Sequence, residues 1–259
     1  MDRSSGVVQR TTMRVRIESV DLPREGGIMR TFVARPDDDR PYPALAFYSD
    51  IFQMTESTQR MAIRFASYGY VVAAPEIYWR FEEPGTAIPF DDPGRDRGMA
   101  DAKRMHVRDF DDDIGALVAF LQHDARVTPG AIGAVGFCLG GHLAFRAAFV
   151  PAVKATACFY PTGLHDGELA GDPDAGSLAL AGRIRGSLLL VFGTADPHTD
   201  AAGRDVVAAG IARAAIDARI VLYDAAHAFM RDVGPRWDPA VTDEAFAEAI
   251  DLFRARMPR

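Results

Sequence analysis

The chain has 259 residues, 48% of them hydrophobic and 25% charged, with a formal net charge of −7 and only two cysteines. That balance excludes an intrinsically disordered chain and a disulfide-stapled one, and it argues against a surface that tracks nucleic-acid phosphates. The length suffices for one domain with its own core, and no apolar run approaches the ~18–20 residues that a membrane span requires.

In chain order, Met1 to Arg16 has scattered arginines and no apolar stretch of the signal-peptide kind, so a cytoplasmic protein with reduced thiols is expected. Arg14 to Val20 and Met29 to Ala34 read as an antiparallel strand pair around a turn at Pro23 to Gly27, and Pro36 to Pro43 as a surface loop. Short apolar runs then alternate with helical patterns, the βαβ signature of a mostly parallel sheet with helices on both faces. The runs are Ala44 to Tyr48, Tyr70 to Ala74, Ala131 to Phe137, Ala155 to Tyr160, Ser187 to Phe192 and Arg219 to Tyr223. Helices are expected over Thr58 to Tyr68, Asp109 to His123, Gly140 to Phe149, Asp200 to Ala214 and Thr242 to Met257. Arg80 to Gly98 is rich in proline, glycine and acids, and is long for a connection; it reads as a rim or lid loop within a single domain spanning residues 1–259.

The sharpest local signal is Gly136-Phe137-Cys138-Leu139-Gly140-Gly141, directly after an apolar strand and directly before a helix. This is the setting of a nucleophile elbow, with cysteine at the nucleophile's place. The tight turn demands glycine on either side, and the N-terminus of the following helix favours a thiolate and a developing oxyanion. An acid and a histidine should follow, in that order, at the ends of later strands. Asp196 stands just past Ser187 to Phe192, and His227 just past Arg219 to Tyr223. His227 could take the thiol proton and return it to a leaving group while Asp196 orients the imidazole. Asp200 and Asp224 compete less well for the orienting role, His142 and His198 are secondary candidates, and Cys158 reads as a small core residue. No spacing suggests a metal site, and acyl chemistry of this kind needs no cofactor.

With Asp50-Ile51-Phe52, Pro75-Glu76-Ile77-Tyr78-Trp79-Arg80, Pro84-Gly85-Thr86-Ala87, the elbow and His227-Ala228-Phe229-Met230-Arg231, the sequence resembles the dienelactone hydrolase (carboxymethylenebutenolidase) family of α/β-hydrolases from about Thr31 onward. The resemblance implies hydrolysis of an unsaturated lactone bearing a carboxylate, through an acyl-enzyme on cysteine. It implies that Arg80 and Arg231 bind the carboxylate, that the backbone N–H groups of Ile51 and Leu139 form the oxyanion hole, and that Tyr160 lines the pocket. Two positions depart from the family pattern. Asp50 stands where glutamate is usual, as an acid that helps control the ionisation of the cysteine, and Gln53 stands where glycine is usual.

The expected partner is therefore a small anionic substrate, with no nucleic acid or membrane involved and a monomer or small homo-oligomer as the assembly. A broader esterase or thioesterase with the same three residues is the nearest alternative reading. A redox-sensing scaffold without turnover is a more distant one.

Overall fold

The computed structural model describes residues 13–257, so most of the segment read as free of a targeting signal lies outside the described residues. The strands are β1 (Val15–Arg24), β2 (Gly27–Pro36), β3 (Tyr42–Tyr48), β4 (Val71–Pro75), β5 (Val127–Phe137), β6 (Val153–Phe159), β7 (Ser187–Ala195) and β8 (Ala218–Ala226). The helices are α1 (Glu56–Ser67), α2 (Asp92–Arg104), α3 (Val107–His123), α4 (Leu139–Ala147), α5 (Ala201–Ala214) and α6 (Pro239–Arg256), with a short 3-10 turn at Ala181–Arg183.

The eight strands form one sheet in the order β1-β2-β4-β3-β5-β6-β7-β8. β1 and β2 are an antiparallel hairpin, and β2 joins β4 antiparallel through Thr31↔Pro75 to Ala34↔Val72. From β4 to β8 every pairing is parallel. Such strands are covered on both faces, which is why β4 is buried throughout and β5 over its last seven residues. On one face α1 and α6 meet through Phe65, whose ring lies 4.6 Å from Phe246 and 6.2 Å from Phe253. Removing a ring buried this completely costs about 3–5 kcal/mol. The other face carries α3 and α4 against β3, β5 and β6.

The expected helices and strands are present, with ends displaced by a few residues. The clearest difference is α2, which occupies the last part of the stretch read as loop, Arg80 to Gly98, and continues to Arg104. Asp91 caps it by accepting the Gly94 N–H at 2.7 Å. The helix is polar and carries two glycines, so it lacks the apolar period that reveals helices in sequence. Those glycines are set by packing. A Cβ on Gly94 would lie 1.9 Å from the Pro89 carbonyl oxygen, and one on Gly98 would lie 2.3 Å from that of Ile51.

Candidate active site

β5 ends at Phe137 and α4 begins at Leu139, which leaves Cys138 alone to make the turn. Its backbone sits at φ 58°, ψ −121°. A non-glycine residue there costs roughly 1–3 kcal/mol and persists only when its surroundings over-determine it. They do: the Cys138 N–H donates to the Phe159 carbonyl at 3.0 Å, and its carbonyl accepts from the Thr162 N–H at 3.3 Å. The neighbouring glycines are sterically required. A Cβ on Gly136 would stand 1.8 Å from the Gly140 carbonyl oxygen, and one on Gly140 would stand 2.2 Å from that of Tyr48. Leu139 supplies the first N–H of α4, a group with no acceptor inside the helix. Ile51 lies in the turn after β3, and Asp50 pins that turn by accepting the Phe52 N–H at 2.9 Å.

Asp196 and His227 follow β7 and β8, parallel neighbours in the sheet, so their side chains converge. His227 Nδ1 lies 2.7 Å from Asp196 Oδ2, and the Asp196 side chain is completely buried. The other ring nitrogen, Nε2, is thereby left for Cys138. Burial opposes a charge on His227, but the charge and hydrogen bond of Cys138, together with the Asp196 carboxylate, raise it to about 9. The competing acids are employed elsewhere. Asp200 caps α5 through the Gly203 N–H at 2.8 Å, and Asp224 accepts from the Thr194 hydroxyl at 3.2 Å. His142 is wholly buried between the Thr162 carbonyl (2.8 Å) and the Ser177 hydroxyl (2.7 Å), and burial drives it down to about 4. Cys158 is buried in β6, where desolvation pushes its thiol up.

Asp50, Tyr160 and Arg231 share one small cavity with Ser49, Met61 and Met230. Arg231 donates from Nε to Asp50 Oδ2 at 3.1 Å, and its guanidinium lies over the rings of Phe52 and Phe90 at 4.9 and 4.4 Å. Burial opposes its charge, while Asp50, Tyr160 and the nearby Cys138 outweigh that and raise its proton affinity. Arg80 is placed apart. It does not line that cavity, and its guanidinium holds Asp113 of α3 at 3.2 Å, where Trp79 Nε1 (3.0 Å) and Arg24 (3.3 Å) also converge. Of the two arginines expected to bind a carboxylate, only Arg231 therefore stands with Asp50 and Tyr160.

Three further residues belong to this region. Gln53 adopts φ 60°, the left-handed region where a glycine would be unstrained, and this backbone is the physical content of its departure from the family pattern. Its fully buried side chain accepts the Tyr78 N–H at 3.0 Å and donates to the Thr86 carbonyl at 3.2 Å. Phe90 lies over Arg231, and His198 brings its ring centroid within 4.5 Å of that of His227. Left-handed backbone also recurs at Tyr160 (φ 38°) and Ala228 (φ 62°), so strain gathers around Cys138. Only the contacts reveal Phe90, since an aromatic residue in a loop carries no sequence signal for what it covers. Among the described residues, no group of three or more His, Cys, Asp or Glu side chains could hold a metal ion.

A mostly parallel sheet with an elbow after β5, an acid after β7 and a histidine after β8 defines an α/β-hydrolase. More narrowly, the chain belongs to the dienelactone hydrolase family, whose model matches residues 29–257, and it is a hydrolase. A protein of Saccharomyces cerevisiae provisionally named a carboxymethylenebutenolidase is 32% identical over 242 residues, spanning 90% of this chain and 88% of its own. Among solved structures, a provisionally named dienelactone hydrolase from Klebsiella pneumoniae superposes with a TM-score of 0.81 at 21% identity, covering 93% of this chain and 99% of its own. A dienelactone hydrolase-like promiscuous phosphotriesterase from metagenomic libraries superposes at 0.77 with 18% identity, covering 94% and 99%. The two structural likenesses bear on the fold alone.

Proposed function

We propose that this chain hydrolyses a small carboxylate-bearing lactone or ester of the dienelactone kind through an acyl-enzyme on Cys138. The observation that carries the reading is the placement of His227, with Nδ1 on Asp196 and its proton affinity raised by Cys138. His227 Nε2 takes the Cys138 proton, and the sulfur attacks the substrate carbonyl. The oxyanion that forms falls to the N–H groups of Leu139 and Ile51. As the C–O bond of the lactone or ester breaks, the leaving oxygen receives the proton from Nε2. A water molecule then attacks the thioester carbonyl, giving its proton to Nε2, and the carboxylic acid departs as the thiol is regenerated. Asp196 keeps the imidazole in one tautomer throughout.

In this reading the substrate carboxylate meets Arg231 first, in exchange for Asp50, and Tyr160 closes the same cavity. Arg80 joins only by letting go of Asp113. The segment from Arg80 to Gly98 forms the rim, with Phe90 over Arg231. A neutral ester or thioester is the second reading, favoured by one observation: both arginines already have carboxylate partners. Turnover of a dienelactone beside a neutral nitrophenyl ester separates the two, using wild type, Cys138→Ala and Arg231→Gln. The anionic reading expects a KM rise for the dienelactone alone in the arginine variant. Cys138→Ala protein as active as wild type on both substrates would end both readings.

A further inference from the structure

The imidazole of His227 is met by two rings, Tyr160 at 5.1 Å and His198 at 4.5 Å between centroids, each inclined by 67°. The acyl-transfer steps give His198 no task, yet its position is closely determined. It follows Asp196 by two residues, and its backbone N–H donates to Asp196 Oδ1 at 2.8 Å while Oδ2 meets His227 Nδ1 at 2.7 Å. One carboxylate therefore sets the backbone of His198 and the ring of His227 in a single frame. The turn itself fixes their spacing.

A centroid separation of 4.5 Å at 67° is an edge-to-face contact, and it lies inside the ~6 Å over which an aromatic face attracts a cation. The sign of the interaction depends on the charge of each partner. A neutral imidazole presents a π face that favours a neighbouring imidazolium, whereas a protonated one repels it. The charged and titratable groups facing His198 are His227, Asp196 and Arg236. Burial, then the charge of His227, and lastly that of Arg236, depress the proton affinity of His198, against the opposing pull of Asp196. His198 therefore gives up its proton at lower pH than His227 does, so a neutral His198 can stand beside a protonated His227.

Resting on the reading of Cys138 and His227 as nucleophile and base, we infer that His198 is a positioning residue whose neutral ring, held edge-to-face by the Asp196 turn, steadies His227 as its cation. The imidazolium is the form that protonates the leaving oxygen, so its persistence sets how far acylation survives as pH rises. The role inferred for His198 belongs to the face of its ring and not to its nitrogens. That separates two substitutions. His198→Phe keeps a face and His198→Ala removes it, while the N–H bond to Asp196 survives in both because it belongs to the backbone.

The test follows the His227 imidazole through pH 6 to 10 by its nitrogen NMR shifts, with kcat/KM on an activated ester over the same range. Wild type is expected to lose the His227 proton near 9. His198→Ala should lose it about half a pH unit lower, the size expected of a partly exposed cation–π contact. The alkaline limb of its kcat/KM should move with it and KM should hold, while His198→Phe should follow wild type. An Ala variant that titrates with wild type, or a Phe variant that falls with Ala, overturns the inference. The underlying reading fails separately, if Cys138→Ala protein turns over the ester as fast as wild type.

Discussion

Asp50 and Arg231, 181 residues apart in the chain, form an ion pair in which each side chain is only 10% exposed. The second oxygen of Asp50 accepts the Phe52 N–H, and the guanidinium is covered by Phe52 and Phe90. The pair is thus both desolvated and hydrogen-bonded, and breaking it from one side strands a buried charge. Asp50→Asn is expected to destabilise the protein by about 3 kcal/mol. For a chain of this size that lowers Tm by roughly 6–12 °C. Adding Arg231→Gln to Asp50→Asn should cost less than the sum of the single changes, because the stranded cation goes too. Thermal melts of the four proteins check this, and additive losses would mean that the pair is not coupled.

His227 links the site to stability through pH. Its proton affinity is raised to about 9 from an ordinary value near 6.5. The folded state therefore binds that proton more tightly than the unfolded chain does. The stabilisation is complete below about 6.5 and is lost as pH climbs through about 9, each tenfold gain in proton affinity being worth about 1.4 kcal/mol. Because the charge of Cys138 is the largest contribution raising it, Cys138→Ala should flatten the decline. Denaturant midpoints at pH 6, 7.5 and 9.5 measure both slopes. Parallel declines in the two proteins would count against a Cys138–His227 couple.

Gln53 carries a backbone strain and two hydrogen bonds, and their balance can be measured. Gln53→Ala keeps the left-handed backbone, leaves the Tyr78 N–H buried without its acceptor, and should cost about 1–3 kcal/mol. Gln53→Gly loses the same bonds but relaxes φ 60°, so it should be less costly than the alanine variant. An alanine variant as stable as the glycine one would mean that the left-handed backbone is not under strain. Circular-dichroism melts order the three proteins.

The chain order of Cys138, Asp196 and His227 was legible because each follows an apolar run whose end in a parallel sheet lies at one edge, and a short apolar run is a local signal. The partners of the arginines were not, because both are long-range. Arg231 reaches Asp50 across 181 residues and Arg80 reaches Asp113 across 33, and nothing in local spacing encodes either choice. The helix α2 was hidden for a different reason. It is polar, and its glycines, which read as loop, answer to carbonyl groups of other segments.

That helix bears on the chemistry through Gly98. A Cβ there would stand 2.3 Å from the Ile51 carbonyl oxygen and 3.2 Å from the Ile51 side chain, and backbone cannot yield as a flexible side chain does. Gly98→Ala must then push α2 away or shift the turn holding Asp50, Ile51 and Phe52. Because the N–H of Ile51 is a proposed oxyanion donor, a shift there should act on the transition state more than on binding. Losing one such donor costs about 10²–10³-fold in kcat, so a partial displacement should lower kcat by about 10- to 100-fold with KM little changed. Cys138 belongs to a different segment, the elbow between β5 and α4, so its thiol should alkylate with iodoacetamide at the wild-type rate. If kcat holds while Tm falls, α2 alone has yielded and the turn at Ile51 has not moved; if the alkylation rate falls too, the displacement has reached the elbow.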